Sequence, residues 1–106
     1  MPPLRQAYIG EVEALKDTTA QLRAAGKSPE EIARALHQMR RDIGIKYKDL
    51  TPPDKLAEIY ARNLEKYGDE LGPTIDYLRG KGKSWEEMIE SASRSGGVDL
   101  GLAKPQ

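Results

Sequence analysis

The sequence predicts an all-α fold, a compact bundle of about five short helices joined by tight Gly, Ser and Pro corners. Apolar residues recur at spacings of 3 and 4 along most of the chain, which is the period of one helix face. Capping residues and helix-ending glycines separate these segments, and no alternating apolar run predicts a strand. Because 106 residues suffice for one core, we expect a single domain over residues 1–106, with residues 95–106 as a flexible tail.

The first predicted helix covers residues 4–25, and the apolar stripe on its face consists of Leu4, Tyr8, Val12, Leu15 and Leu22. Gly26 then ends this helix, Ser28 caps the next one, and Glu31 stands where a capping box places its carboxylate. We therefore predict a second helix that begins after Ser28 and ends or loosens at Gly44. Its buried stripe is predicted to contain Ile32, Leu36, Met39 and Ile43.

A third helix is predicted from the sequence Thr-Pro-Pro-Asp at residues 51–54, with Thr51 as its cap. Gly68 is expected to end this helix, and its predicted inner face contains Leu56, Ile59, Tyr60, Leu64 and Tyr67. A shorter fourth helix is predicted over residues 73–81, with Ile75 and Leu78 facing the core.

The corner that precedes the predicted fifth helix repeats the corner before the second one. Leu-Arg, Gly-Lys-Ser and Glu-Glu occur over residues 22–31 and recur 56 positions later, over residues 78–87. A tight turn between two helices favours a glycine followed by Ser-x-x-Glu, so we attribute the repeat to this shared physical requirement. The fifth helix is predicted to bury Trp85, Met88, Ile89 and Ala92.

Composition excludes several classes of site. The chain has no cysteine and one histidine, so we expect no disulfide, no thiolate nucleophile, no metal ion and no cofactor. No apolar run is long enough for a membrane span, so we expect no membrane insertion. The 17 basic and 17 acidic residues balance, so any basic surface that binds nucleic acid has to be local.

The densest basic segment of the chain contains the single histidine. His37 and Arg41 are separated by four residues and share a helix face with Arg34, while Arg40 stands next to Arg41. An imidazole can accept a ribose 2′-hydroxyl proton, and neighbouring guanidinium groups can stabilise a pentacoordinate phosphate. We therefore predict a metal-independent ribonuclease site with His37, Arg40 and Arg41 as the catalytic residues.

Further polar residues are predicted to bind the RNA substrate, because cations and amides hydrogen-bond phosphates and bases. The predicted substrate-binding residues are Arg34, Lys46, Lys48, Arg62, Asn63 and Lys83. The sequence Gly82-Lys83-Ser84 resembles the end of a phosphate-binding loop, but Tyr77 stands where that motif requires its leading glycine. A P-loop nucleotide site is therefore excluded.

Two other hypotheses fit the same residues. The basic face of the second helix is also what a solvated helix surface with an incidental histidine looks like. The chain would then be a non-catalytic helical protein-interaction module, with an apolar groove near Trp85 and Met88 for a partner helix. A metal-dependent nuclease is less favoured, because no pair of carboxylates lies near the histidine in the sequence.

Several segments resemble a small module that ends bacterial polymorphic toxins of the Rhs and filamentous-haemagglutinin types. The resemblance covers about residues 30–102 and is carried by YKDLTP at 47–52, RN at 62–63, KYGD at 66–69, LGPT at 71–74, GKSWE at 82–86 and ESASR at 90–94. The module typically has Tyr-Gly-Asp-Pro-Leu-Gly-Pro, whereas Glu70 replaces its first proline, and Gly96-Gly97 replaces a proline-containing form. These differences lie in loops and concern the loop details.

The resemblance implies an antibacterial effector domain that is secreted or delivered as the tail of a larger carrier protein. It also implies action in the cytoplasm of the target cell, nucleic acid as the commonest target class, and neutralisation by a cognate immunity protein. Together with the basic segment, it leads us to expect a ribonuclease toxin that acts on RNA. The resemblance assigns no catalytic residue.

Overall fold

Helices account for most of residues 4–94, the part of the chain that this computed structural model describes. Within that range there are six of them: α1 Leu4–Glu13, α2 Leu15–Ala24, α3 Pro29–Lys48, α4 Pro53–Tyr67, α5 Ile75–Gly80 and α6 Trp85–Ala92. No strand occurs in residues 4–94, which confirms the predicted all-α fold. The predicted tail at residues 95–106 lies outside the described residues. None of the six helices has both the length and the apolar character needed to cross a membrane.

The predicted first helix is divided in two by a turn at Ala14. The backbone of Ala14 keeps helical dihedral angles, φ −63° and ψ −16°, so the chain tightens there without leaving the helical region. The amide of Asp17 accordingly donates to the carbonyl oxygen of Ala14, three residues earlier, at 3.1 Å. The bundle therefore has one more helical segment than the periodicity predicts.

Both predicted capping boxes are confirmed. At the start of α3, the Glu31 amide donates to Ser28 Oγ at 3.2 Å, and the Ser28 amide donates to Glu31 Oε1 at 2.9 Å. At the start of α6, Ser84 and Glu87 form the same reciprocal pair at 3.1 and 2.8 Å. Each pair satisfies two amides at the helix end and fixes where the helix begins.

The predicted boundaries around the turn between α3 and α4 are wrong in two respects. Helix α3 continues through Gly44 to Lys48, because Ile43 and Tyr47 on either side of that glycine are both packed. Thr51 does not cap α4: its hydroxyl donates backwards to the carbonyl oxygen of Tyr47 at 2.8 Å. The N-cap position of α4 is Pro52, which has no side-chain capping group.

The core forms where α3 packs against α6, with α2 and α5 closing its sides. The residues buried in this cluster are Leu15, Ile32, Ala33, Leu36, Leu78, Met88, Ile89 and Ala92, and Leu22, Met39, Ile43, Ile75, Tyr77 and Trp85 pack against them. The predicted stripes of the second, fourth and fifth helices all contribute to it. Packing of α3 on α6 therefore fixes the position of the basic segment of α3.

Helix α4 is attached differently, because none of the side chains from Pro53 to Tyr67 is fully buried. Leu64, which the sequence places on an inner face, is 53% exposed. At the C-terminal end of α4, the Tyr67 ring meets the Tyr77 ring edge to face with centroids 5.3 Å apart. Gly68 ends the helix with φ +73°, a left-handed conformation that favours glycine.

Helix α1 is joined to the C-terminal half of α3 by one polar and aromatic cluster. Tyr47 donates its hydroxyl hydrogen to Glu11, and Lys46 Nζ donates to both carboxylate oxygens of Glu11 at 2.9 and 3.0 Å. Tyr8 packs edge to face on Tyr47 with centroids 5.6 Å apart. These bonds lower the pKa of Glu11 and raise that of Tyr47.

Candidate functional site

A cavity of about 270 Å³ lies where α3 faces the C-terminal end of α4, the turn after it, and α6. Its apolar lining includes Leu78, Met88 and Ala92, and Gly44 and Gly72 leave backbone exposed to it. Its polar lining consists of Tyr8, His37, Arg40, Arg41, Asn63, Tyr67 and Ser91. An apolar floor with a few convergent polar groups is typical of a ligand site.

His37 is the only histidine of the chain, and its half-buried ring lines the cavity from α3. Burial lowers the pKa of His37 below its usual value of 6.5, and the positive charges of Arg41 and Arg40 lower the pKa further. The negative charge of Asp69 opposes this shift without cancelling it. The imidazole is therefore neutral at pH 7 and can accept a proton.

Arg41 lies one helical turn after His37 and also lines the cavity. Its two Nη atoms are 3.4 Å from the two carboxylate oxygens of Asp69, so the ion pair is bidentate but long. Asp69 is itself fixed by the amide of Leu71, which donates to Oδ1 at 2.8 Å and is the main cause of the lowered pKa of Asp69. A carboxylate thus orients Arg41, and the remaining N–H groups of this guanidinium are available to an anion.

Arg40 lines the cavity too, but its guanidinium has another binding partner. Its Nη1 donates to the backbone carbonyl oxygens of Ser91, Ala92 and Arg94 at 2.8, 3.1 and 2.6 Å. The Ser91 and Ala92 carbonyls end α6, where helices leave acceptors unsatisfied and favour positive charge, and the Arg94 carbonyl lies two residues beyond. Arg40 therefore fastens α6 to α3 and contributes its charge to the cavity, which differs from the direct catalytic contact that the sequence predicts.

Asn63 and Tyr67 lie on consecutive turns of α4, and both line the cavity. Asn63 Nδ2 donates to the carbonyl oxygen of Glu70 at 2.9 Å, which holds the turn after α4 against that helix. Burial raises the pKa of Tyr67, and the neighbouring Tyr77 raises it further, so the phenol stays protonated at neutral pH. The two side chains present an amide and a phenol opposite the residues of α3.

The structure separates Arg34 and Lys46 from this cavity, although the sequence predicts them as substrate ligands. Arg34 Nε donates to Glu30 at 2.9 Å, and its guanidinium lies over Trp85 at 5.2 Å from the ring centroid. Lys46 points its ammonium group at Glu11 on α1. Arg34 shares a helix face with His37 but lies two turns from Arg41, so it reaches α6 and does not reach the cavity.

The three remaining predicted ligands also lie outside the cavity lining. Lys48 ends α3 and Arg62 lies on α4, and both are exposed. Lys83 lies in the corner between α5 and α6. The structure therefore brings together His37, Arg40, Arg41 and Asn63, which are four of the nine predicted site residues.

Sequence reasoning missed Asp69 and Tyr8 as neighbours of the site. Asp69 follows the helix-ending Gly68, a position where a short acidic side chain commonly bonds the next backbone amides. That signal predicts a turn and says nothing of Arg41, which is 28 residues away. Tyr8 reaches the cavity through its ring contact with Tyr47, a tertiary contact that periodicity does not reveal.

The groups that line the cavity are ones that acid–base chemistry on a phosphate can use. Within residues 4–94, no group of three or more His, Asp or Glu side chains is placed to hold a metal ion. The cavity instead combines a neutral imidazole, two guanidinium groups and a protonated phenol. Comparison of the chain with family models, curated proteins and solved structures finds no match.

Proposed function

We propose that the cavity is the active site of a metal-independent ribonuclease and that the chain acts as an antibacterial toxin domain. The observation that carries the proposal is the convergence of His37, Arg41, Asn63 and Tyr67 on one cavity. A neutral imidazole beside a guanidinium can supply the general base and the charge stabilisation for cleavage of RNA through its own 2′-hydroxyl. The resemblance to polymorphic toxin modules supports the same class of activity.

In this mechanism His37 accepts the proton of the ribose 2′-hydroxyl as that oxygen attacks phosphorus. The O2′–P bond forms while the P–O5′ bond breaks, giving a 2′,3′-cyclic phosphate and a free 5′-hydroxyl. Arg41 stabilises the added charge on the phosphoryl oxygens, and Tyr67 donates a proton to the leaving 5′-oxygen. Water then returns the proton from the imidazolium to the phenolate, so no metal or cofactor takes part.

The decisive experiment compares His37→Gln with the wild-type chain on a labelled single-stranded RNA in the presence of a metal chelator. Glutamine keeps a hydrogen-bonding side chain but accepts no proton, so we expect kcat to fall by about 10²–10⁴-fold. Lys55→Gln, an exposed change on α4 outside the cavity lining, is the matched control and should keep full activity. Intact RNA with the wild-type chain would reject the enzyme, and full activity in His37→Gln would reject the assigned base.

The cellular part of the proposal has its own test. We propose that the domain is delivered as the tail of a larger carrier protein, acts in the cytoplasm of the target cell and is neutralised by a cognate immunity protein. Expression in a bacterial cytoplasm should arrest growth, whereas export of the same chain to the periplasm should not. Arrest in both cases, or in neither, contradicts this site of action.

A second candidate function is docking of a partner protein without catalysis. The groove predicted near Trp85 and Met88 is not open, because Met88 is buried and two guanidinium groups lie over Trp85. The observation that favours docking is instead the exposure of three large apolar side chains, Ile45 on α3, Leu50 after α3 and Leu64 on α4. If the purified wild-type chain leaves RNA intact and Leu64→Lys abolishes its toxicity, docking without catalysis replaces the ribonuclease proposal.

A further inference from the structure

The corner between α5 and α6 concentrates positive charge in a chain whose total charge is zero. Residues 77–85 carry Arg79, Lys81 and Lys83 and contain no acidic residue. Within the described residues, none of these three cations forms an ion pair with a carboxylate. The corner therefore has a local excess of positive charge.

The acidic residues that follow this corner are already engaged. Glu86 forms a bidentate ion pair with Arg23 at 2.7 and 3.1 Å. In the capping box the Ser84 amide donates to Glu87 Oε1, and the Glu87 amide donates to Ser84 Oγ. The contacts with Ser84 lower the pKa of Glu87, and the charge of Lys83 lowers it by a smaller amount. The three cations of the corner are thus left with hydrogen-bonding capacity for an external anion.

Aromatic rings flank these cations and orient two of them, Arg79 and Lys81. The Arg79 guanidinium lies 4.2 Å from the ring centroid of Trp85, and its Nη1 donates to the carbonyl oxygen of Lys83 at 2.9 Å. Lys81 Nζ lies over the Tyr77 ring at 5.6 Å from the centroid. Contacts of this kind restrict the cations before a ligand arrives, which reduces the entropy lost on binding.

The same rings connect the corner to the cavity. Tyr77 contacts Tyr67 edge to face, and Tyr67 lines the cavity that contains His37. Helix α5 is only six residues long, about 9 Å, so the cations at its C-terminal end lie close to that aromatic contact. A polyanion bound at the corner can therefore extend into the cavity.

We propose that the Tyr77, Arg79, Lys81, Lys83 and Trp85 corner binds single-stranded RNA and guides it to the cavity. Cations held over rings suit a flexible strand whose bases are unpaired, since an unpaired base stacks on a guanidinium plane and the cations bind phosphates. A duplex hides its bases and demands a longer basic surface than this corner offers. The inference rests on the proposed ribonuclease function and adds the substrate class and the surface that binds it.

The test uses Trp85, the only tryptophan of the chain, as its reporter. His37→Gln protein is titrated with a single-stranded oligoribonucleotide of about eight nucleotides, and tryptophan emission and the anisotropy of a labelled strand are followed. Three phosphate contacts on a single strand predict a slope of about −2 for log K against log salt concentration. Duplex RNA of the same sequence should bind at least about tenfold more weakly.

The key variant replaces Arg79, Lys81 and Lys83 with glutamine together. The matched control makes the same replacement at the exposed residues Lys16, Lys55 and Lys66, which removes the same charge from α2 and α4. We expect the corner variant to lose at least about tenfold in affinity and most of the salt slope, and the control to lose less than about threefold. In the active background, the corner variant should raise KM more than it lowers kcat, and circular dichroism verifies folding.

The outcomes distinguish failure of the proposed RNA surface from failure of the proposed ribonuclease. Wild-type protein that leaves RNA uncut but binds it with this slope and variant pattern rejects the ribonuclease and retains the RNA surface. The proposed surface is overturned if the two triple variants lose affinity for single-stranded RNA equally. Equal affinity for duplex RNA, or for an acidic polyglutamate peptide, overturns it as well.

Discussion

Helices α3 and α4 have similar sequence signals but differ in how they pack. Both begin at a proline, with Ser28 one residue before α3 and Thr51 two residues before α4. Both are amphipathic, and both have a glycine near or after their last turn. Helix α3 buries Ile32, Ala33 and Leu36 against α6, whereas no side chain of α4 is fully buried. Amphipathic periodicity therefore identifies a helix and its apolar face, but does not show whether anything covers that face.

The largest expected effect on stability separates two leucines. Leu36 is fully buried and Leu64 is 53% exposed, so Leu36→Ala should lower the free energy of unfolding by about 2–5 kcal/mol. Leu64→Ala should change it by less than about 0.5 kcal/mol. Urea denaturation followed by circular dichroism measures both, and similar losses in the two variants would contradict the difference between α3 and α4.

A second pair tests the arginines on the two helices. Arg40→Met removes a charged donor from three carbonyl oxygens at the end of α6, so we expect a loss of about 1–3 kcal/mol in the free energy of unfolding. Arg62→Met on the exposed surface of α4 should stay within about 0.5 kcal/mol of the wild type. If Arg40→Met is equally neutral, the bonds to α6 do not stabilise the fold.

Substitutions just before α3 and α4 should give a smaller difference in the free energy of unfolding. Ser28→Ala removes half of the capping box of α3 and should cost about 1 kcal/mol. Thr51→Val keeps the side-chain shape but removes a hydroxyl that does not cap α4, so its cost should be below about 0.5 kcal/mol. Thermal unfolding under matched conditions ranks the two, and a greater loss in Thr51→Val would restore Thr51 as a cap.

The smallest expected effect is a dependence on pH that arises from α3. The pKa of His37 is lower in the folded protein than its ordinary 6.5, so the unfolded chain binds the proton first as the pH falls. The free energy of unfolding should therefore decrease below about pH 6.5 and level off below the folded pKa.

Replacement of the ring checks the source of this effect. His37→Gln should remove this part of the pH dependence above about pH 5, where the carboxylates have yet to titrate, while Arg62→Gln on α4 should retain it. A decrease of the same size in His37→Gln would assign the proton uptake to another group.

Sequence reasoning succeeded where local chemistry decides the structure. Ser28 with Glu31 and Ser84 with Glu87 are contacts between residues three apart, so their sequence spacing predicts their geometry. The core stripes of α3 and α6 follow equally from helical periodicity, because each of these helices has a partner for its apolar face. The same reasoning failed at Thr51 and Leu64, where the outcome depends on what lies opposite in space.

The part of the site that lies on α3 was predictable from the sequence. His37, Arg40 and Arg41 are close in sequence, so the turn geometry of α3 keeps them together. Their partners are 28 to 54 residues away, at Asp69 and at the end of α6, and no periodic signal connects them. Arg40 was therefore recognised as a neighbour of the histidine without its attachment to α6.

Gly44 keeps part of the cavity free of side chains in this small protein. It interrupts the side chains of α3 at the cavity, and a methyl group added there would touch nothing within 4 Å. Alanine in a helix is more stable than glycine by about 0.5–1 kcal/mol, so this glycine gives up helical propensity and keeps the volume open. Gly44→Leu should therefore raise the free energy of unfolding and fill part of the cavity.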